Sequence, residues 1–525
     1  MLVGKAAVVF LVLVKLTYSA KILFFCPLPA ISHQKVYRSV IEELAVKGHE
    51  IHVVTPNPVY NESIPNIVNY NISIMYDLVK QESNAFMLRW FLNKPNFISM
   101  IFRQVILSLG AGVALSEFPN FKEIQRLTSN HQTFDVCVIE WIFPGFAVYG
   151  YKFKCPMIGI SSVGLQIPML DTVGNPSYPV IAPDLDLPLT RSLDSLYERT
   201  WSLFWWVFTK LYSHYITLPL LDAKIKKYYG NDVPYIGDIQ NNVSLILLNR
   251  NMIFHRNVPN VPAVIEFGGY KRTPIVENIS PALKSFLDDS KRGVVFFSLG
   301  SSVPASLLQS HVTIIQEAFA SLPFEFIWKW DQETMENKPK NVFVSKWIPQ
   351  LMVLNHPNVK LFISQGGLQS TEEAIAAHKP IIGIPFHSDQ TTNVDTCVHF
   401  GMGKMLDVKD LTVETLRSYI LEVINNISYA ENAAKFDALM KDQPQDGLEK
   451  AVWWIEYVIR HRGAKHLRST AVDLPWWKYL MLDVFALILA IVLATVFIFY
   501  FILKFLFKFV SKLFKKKSTI KKKSE

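Results

Sequence analysis

At 525 residues the chain exceeds what one compact core fills, so two domains with appendages are expected. Half of its residues are hydrophobic and 18% are charged, which is apolar for a freely soluble protein and points to membrane segments. The formal charge of +9 is concentrated after Leu503, where nine lysines face one acid, Glu525; the remainder is nearly neutral, which excludes a basic nucleic-acid groove.

The first apolar run, Ala6 to Leu16, follows Lys5 and precedes the small pair Ser19-Ala20, so residues 1–20 are expected to be a cleaved secretory signal. A strand over Ile22–Phe25, the loop CPLPAISHQK, a helix over Val36–Lys47 and a strand over Ile51–Val54 then spell a βαβ unit. This places His33 in a loop at the carboxyl edge of the first strand, where open α/β sheets gather ligands. Histidine is the residue type best suited to take a proton from an attacking hydroxyl near neutral pH. His49 and His52 fall in the turn after the helix and in the second strand, which suit that role less well.

Further strands are expected at Val136–Ile139, Met157–Ile160 and Ser244–Leu248, and a helical, aromatic-rich stretch at Ser192–Tyr229. Its Trp201, Phe204, Trp205 and Trp206 fit an apolar pocket, a core or a membrane contact. Asp184-Leu185-Asp186 lies in a proline-flanked loop and is read as a chance DxD; no metal is expected. Cys26, Cys137, Cys155 and Cys397 form no metal pattern, and buried free thiols are expected, with one bridge as the alternative.

Periodicity lapses between Phe267 and Asp289, where Gly268, Gly269, Pro274 and Pro281 mark a domain boundary. The βα alternation then restarts: strands at Val294–Ser298, Phe324–Lys329, Val342–Val344, Leu361–Ser364 and Ile381–Ile384, helices at His311–Ser321 and Ser370–Ala377. A helix at Val452–His461 ends this half. Two doubly wound, Rossmann-like α/β domains facing a cleft are therefore predicted. No GxGxxG follows a strand and no GxxxxGK[ST] occurs, which argues against dinucleotide chemistry (a sugar-nucleotide dehydrogenase or epimerase) and against an NTP site.

Val484 to Leu503 is about the length a helix needs to cross a bilayer, with Trp476, Trp477 and Tyr479 at interface level before it. The positive-inside rule puts the lysine tail in the cytoplasm and the body in the lumen. The sequons at Asn61, Asn71, Asn242, Asn278 and Asn426 agree, Asn242 least well because it abuts a strand. Lys522-Lys523, placed just before the last two residues, looks like a signal for return to the endoplasmic reticulum.

The densest constellation runs from Phe362 to Gln390, FISQGGLQSTEEAIAAHKPIIGIPFHSDQ. Gly366-Gly367 lets the backbone turn closely after a strand, and the helix that follows offers free N–H groups and its dipole to a phosphate. Glu373, one turn in, can accept from ribose hydroxyls, and Asp389-Gln390 at the next strand's end can hold a polyol.

This segment resembles the signature of the UDP-glycosyltransferases, the family that includes the UDP-glucuronosyltransferases, and its details resemble arthropod members. The SHQ loop, SLGSS, WIPQ and the ending EYVIRHRGAKHLRS extend the resemblance over essentially the whole chain. It implies a glycosyltransferase B fold: an acceptor-binding domain over 21–267, a linker over 268–289 and a UDP-sugar-binding domain over 290–475. Residues 476–503 would be the interface and transmembrane helix, and 504–525 the cytoplasmic tail. The resemblance further implies that Trp347 stacks on uracil and Gln350 bonds uracil or ribose. Ser301, Gln365 and Gln369, with Gly366 and Gly367, would serve the diphosphate, Glu373 the ribose, and Asp389 and Gln390 the sugar. His33 would be the catalytic base. No cofactor beyond the UDP-sugar co-substrate is implied; the partners would be a small lipophilic acceptor, the membrane, and a homo- or hetero-oligomer with relatives. Three positions depart from the family pattern: Glu140 replaces the aspartate that orients the base, Gln365 a histidine, and Met352 an acid. They keep a second reading open, a weakly active member that binds donor or pairs with active relatives.

Overall fold

The computed structural model describes residues 19–59, 64–80, 97–129, 132–187, 193–270, 279–300, 310–332 and 334–521. Of the features expected above, most of the signal segment, Ser301, Asn61, Asn278 and the Lys522-Lys523 pair lie outside the described residues.

The described residues up to Ser469 form one compact unit built on two all-parallel sheets. The first contains β1 (Lys21–Phe25), β2 (Glu50–Thr55), β3 (Ile67–Asn71), β4 (Val136–Glu140), β5 (Met157–Ser161), β6 (Val243–Leu248) and β7 (Val264–Glu266), in the order β3-β2-β1-β4-β5-β6-β7. The second contains β8 (Val294–Ser298), β9 (Glu325–Lys329), β10 (Val342–Ser345), β11 (Val359–Ser364), β12 (Ile381–Gly383) and β13 (Gly403–Met405), in the order β10-β9-β8-β11-β12-β13. Central strands such as VCVIE and VVFFS are buried along their whole length, as expected when helices cover both faces of a parallel sheet. Strand order reverses between β1 and β4 in one sheet and between β8 and β11 in the other. Those switch points open the crevices in which such sheets bind ligands.

Three strands escaped the sequence reading. β3 is an edge strand with only Tyr70 buried, and β7 and β13 span three residues each, too short to show a period. The helix α1 (Ile31–Val46) starts five residues before the predicted start, because extended Ala30 directly after Pro29 ends the loop. His33 is therefore in the first helical turn and not in a loop. The apolar helix α2 (Phe97–Glu117) was also missed; it packs on the helix Leu218–Tyr229, where Gly112 leaves room for Leu220 and Lys224. The aromatic-rich stretch forms α3 (Leu196–Tyr212), opened by a Ser195/Glu198 capping box. Trp205 is fully buried there, while Leu203, Phe204 and Val207 are exposed.

The expectation of four free thiols is corrected. Cys137 on β4 and Cys155 at the entry to β5 are disulfide-bonded, their Cα atoms 5.9 Å apart because the two strands are neighbours. Cys26 and Cys397 are free and buried.

The helix α6 (Gly447–His461) follows the second sheet in sequence but packs on the first. Ala451, Val452, Ile455 and Val458 share a cluster with β1 and β4, and Glu456 pairs with Lys47 and His49 at 3.3 and 3.4 Å. Its start is pressed against the first half: a Cβ on Gly447 would lie 1.9 Å from the Phe267 carbonyl oxygen, so no larger residue fits. Residues 470–525 form a second unit, with a short helix Trp476–Tyr479 and the long helix α7 (Leu482–Lys521). Its stretch Leu482–Leu513 is long and apolar enough to cross a membrane.

Candidate active site

Strand ends and the helix starts that follow them carry the described candidate residues toward the two switch points. In the first sheet, β1 ends at Phe25 and the chain enters α1 at Ile31, while β4 ends on Glu140 beside it. His33 Nδ1 lies 3.3 Å from Glu140 Oε1. The carboxylate is wholly enclosed and takes two more donors: the Leu28 N–H reaches Oε2 at 3.0 Å and the Tyr37 hydroxyl reaches Oε1 at 2.9 Å. A buried charge is tolerable only when satisfied in this way. Because a carboxylate only accepts, the His33 proton sits on Nδ1, which leaves Nε2 as the basic nitrogen. Glutamate thus occupies the departing position with its longer stem accommodated.

In the second sheet, β11 leads through Gln365, Gly366 and Gly367 into α4 (Leu368–Ala376). Gly366 has φ +81°, and a Cβ there would meet Val394 at 2.3 Å, so only glycine permits this turn. Gln365 is buried against Gly300, which follows β8; its Oε1 has no hydrogen-bond partner among the described residues. Gln350 Nε2 donates to Glu373 Oε2 at 2.7 Å and to Ser370 at 3.0 Å, so the expected ribose contacts are already a pair. Trp347 is 47% exposed, and Lys35 of α1 stands over its ring at 6.0 Å, bringing the two halves close. Gln369 reaches across as well, donating to the Ser162 carbonyl at 2.7 Å.

Asp389 precedes α5 (Gln390–His399) and accepts from Asn393 at 2.8 Å. Burial pushes its carboxyl above the usual range, opposed by the Asn393 amide and by His33 from the other half. Gln390 turns its Oε1 inward onto the Phe386 and His387 N–H groups, so that oxygen braces its own loop. Burial and nearby Arg103 push the His387 imidazole down to about 3, which keeps it neutral. Met352 is exposed on the short helix Gln350–Leu354.

Asp184 and Asp186, the chance DxD, are structural acceptors. Asp184 takes the Ile167 N–H at 2.9 Å and the Trp205 indole N–H at 3.3 Å, and burial pushes its carboxyl up to about 7. Among the described residues no cluster of His, Cys, Asp or Glu has the makings of a metal site.

Sequence reasoning missed Tyr37, Ser162, Ser370 and Asn393. Tyr37 was within reach: it lies four residues after His33, one helical turn on the same face, once the helix is started at Ile31.

The sequence pattern of the family described as "UDP-glucoronosyl and UDP-glucosyl transferase" matches residues 204–518. The chain is 32% identical to UDP-glycosyltransferase UGT5 of Dactylopius coccus, over 91% of this chain and 90% of that one. It is 31% identical to the ecdysteroid UDP-glucosyltransferase of Spodoptera littoralis nuclear polyhedrosis virus, covering 89% and 93%. It is 30% identical to UDP-glucuronosyltransferase 1A7 of Rattus norvegicus, covering 87% and 86%. The solved structure of the glycotransferase of kitacinnamycin superposes with a TM-score of 0.54 at 18% identity, over 84% of this chain and 99% of that one, and shares the fold. With two Rossmann-like sheets of glycosyltransferase B type and relatives along nearly its whole length, the chain belongs to the UDP-glycosyltransferase family and is a glycosyltransferase that uses a UDP-sugar.

Proposed function

We propose that the protein transfers a hexose, glucose in the first instance and glucuronic acid as the other donor, to a hydroxyl of a small lipophilic acceptor with inversion at the anomeric carbon. The observation that carries this reading is the 3.3 Å contact between His33 and Glu140 at the first switch point. His33 Nε2 takes the acceptor proton as that oxygen bonds to the anomeric carbon. The bond from that carbon to the UDP oxygen breaks, and UDP leaves with the electron pair. Glu140 stabilises the imidazolium formed, the role a buried carboxylate plays beside a catalytic histidine.

On the donor side, Trp347 stacks on uracil, Gln350 and Glu373 take uracil and ribose, and the turn Gln365–Gly367 with Gln369 and Ser301 holds the diphosphate. Asp389 and Gln390 orient the sugar. The first sheet with its covering helices, α6 among them, binds the acceptor, and the second sheet with its own helices binds the donor. The expected donor boundary at 475 is thus moved back to the start of α6, because Ala451, Val452, Ile455 and Val458 pack on the first sheet. The protein is held in the endoplasmic reticulum membrane by α7, body in the lumen and lysine tail in the cytoplasm; the exposed sequons Asn71, Asn242 and Asn426 are compatible with that side.

The test is to incubate purified full-length protein with UDP-glucose or UDP-glucuronic acid and a panel of phenols and alcohols, alongside His33→Ala. Product that inverts the donor's anomeric configuration and disappears in the variant is expected. Donor binding without product, unchanged by the substitution, would instead support a donor-binding partner. Gln365 is the observation on that side, a neutral amide where the family pattern has histidine.

A further inference from the structure

We propose that Tyr37 is a positioning residue for the transfer reaction: its hydroxyl fixes the Glu140 carboxylate where that carboxylate can orient His33. This rests on His33 being the base.

Glutamate has one more rotatable bond than the aspartate it replaces, so a lone buried Glu140 could turn away from His33 unless its carboxylate is pinned. Two donors pin it. The Leu28 N–H holds Oε2 at 3.0 Å, and the Tyr37 hydroxyl holds Oε1 at 2.9 Å, the oxygen that faces His33 Nδ1. Two fixed oxygens define the plane of the carboxylate.

The direction of the tyrosine bond is settled by its other partner. The Ser162 N–H donates to the Tyr37 oxygen at 3.2 Å, and a phenol has one proton, which therefore goes to Glu140. Ser162 is itself held from both halves, its carbonyl accepting from Asn249 at 3.1 Å and Gln369 at 2.7 Å. Burial and the Glu140 charge hold the phenol well above its ordinary pKa, so it stays a donor while the enzyme works. The other ionisable groups around this cluster are the Cys26 thiol, which burial and Glu140 keep protonated, and Asp389, whose carboxyl burial raises and His33 acts on electrostatically. Neither supplies a proton to Oε1.

The experiment measures kcat, donor KM and melting temperature for full-length Tyr37→Phe, Glu140→Asp, the double variant and His33→Ala. Tyr37→Phe is expected to lower kcat roughly tenfold, the scale of one hydrogen bond to a charged group, with donor KM unchanged. In the Glu140→Asp background, where the shorter carboxylate is out of the hydroxyl's reach, adding Tyr37→Phe should change kcat little. An unchanged kcat in Tyr37→Phe, or the same fold loss in both backgrounds, overturns the proposal. Should Tyr37→Phe fold poorly, fluorinated tyrosines at position 37 preserve the ring and its packing; kcat independent of their acidity overturns it equally. Turnover surviving in His33→Ala removes the base assignment and the role of Tyr37 with it. An inactive His33→Ala beside a native-like Tyr37→Phe removes only the latter.

Discussion

The two switch points are furnished in opposite ways. At the first, a fully enclosed carboxylate holds three hydrogen bonds, and a disulfide ties β4, three residues before Glu140, to the entry of β5. At the second, the turn after β11 is made of glycines and neutral amides, Trp347 shows almost half of its surface, and the cysteine on α5 is free. Moving a proton demands charges whose geometry is set in advance, because reorganising them during the reaction would cost rate. Holding a nucleotide demands a flat face, a close backbone and hydrogen-bond partners, and tolerates more variation. On the proposed assignment of roles, the departures at Gln365 and Met352 fall on the donor side, and the Glu140 carboxylate is held by Tyr37 and Leu28.

This contrast can be broken or sharpened by substitution. His33→Ala should lower kcat by about 10²–10⁴-fold, the range for a positioned general base, while calorimetry shows native affinity for UDP-glucose. Loss of donor binding in that variant would mean that the two sides are not separable. Replacing Cys137 and Cys155 by alanine should destabilise the fold by about 3 kcal/mol, as for a loop of roughly 15 residues, read as a lower melting temperature. An unchanged midpoint would show that hydrogen bonding alone braces the base side. Trp347→Ala should raise the donor KM in line with about 1–3 kcal/mol of base stacking and leave kcat nearly native. A kcat collapse there would place Trp347 in the chemistry. The smallest effect belongs to Lys35→Met, worth at most about 1 kcal/mol of cation–aromatic attraction, a few-fold change in donor KM that vanishes when Trp347 is absent.

Much of the architecture was legible in the sequence because buried parallel strands such as ILFF and VVFFS announce themselves as apolar runs between turns. The edge strand β3 and the three-residue β7 and β13 did not, since a period cannot show in so few side chains. The position of His33 was misread by a few residues: nothing in AISHQK signals that the helix begins at Ile31, and a late start hid the turn-to-turn relation with Tyr37. The pairing of Cys137 with Cys155 needed the knowledge that β4 and β5 are neighbours, which only the sheet order supplies. Partners such as Ser162 and Asn393 are polar residues without a motif, and their place depends on contacts distant in sequence.

The return of α6 to the first sheet makes the second half, topologically, an insertion within the first. Ile22 leaves the ribosome early, yet Ile455, which belongs to the same apolar cluster, is made only after the whole second sheet. The apolar cluster of the first half is therefore complete only once α6 has been made, after the whole second sheet. A chain terminated before Gly447 would lose not a dispensable end but the closing wall of its opening domain.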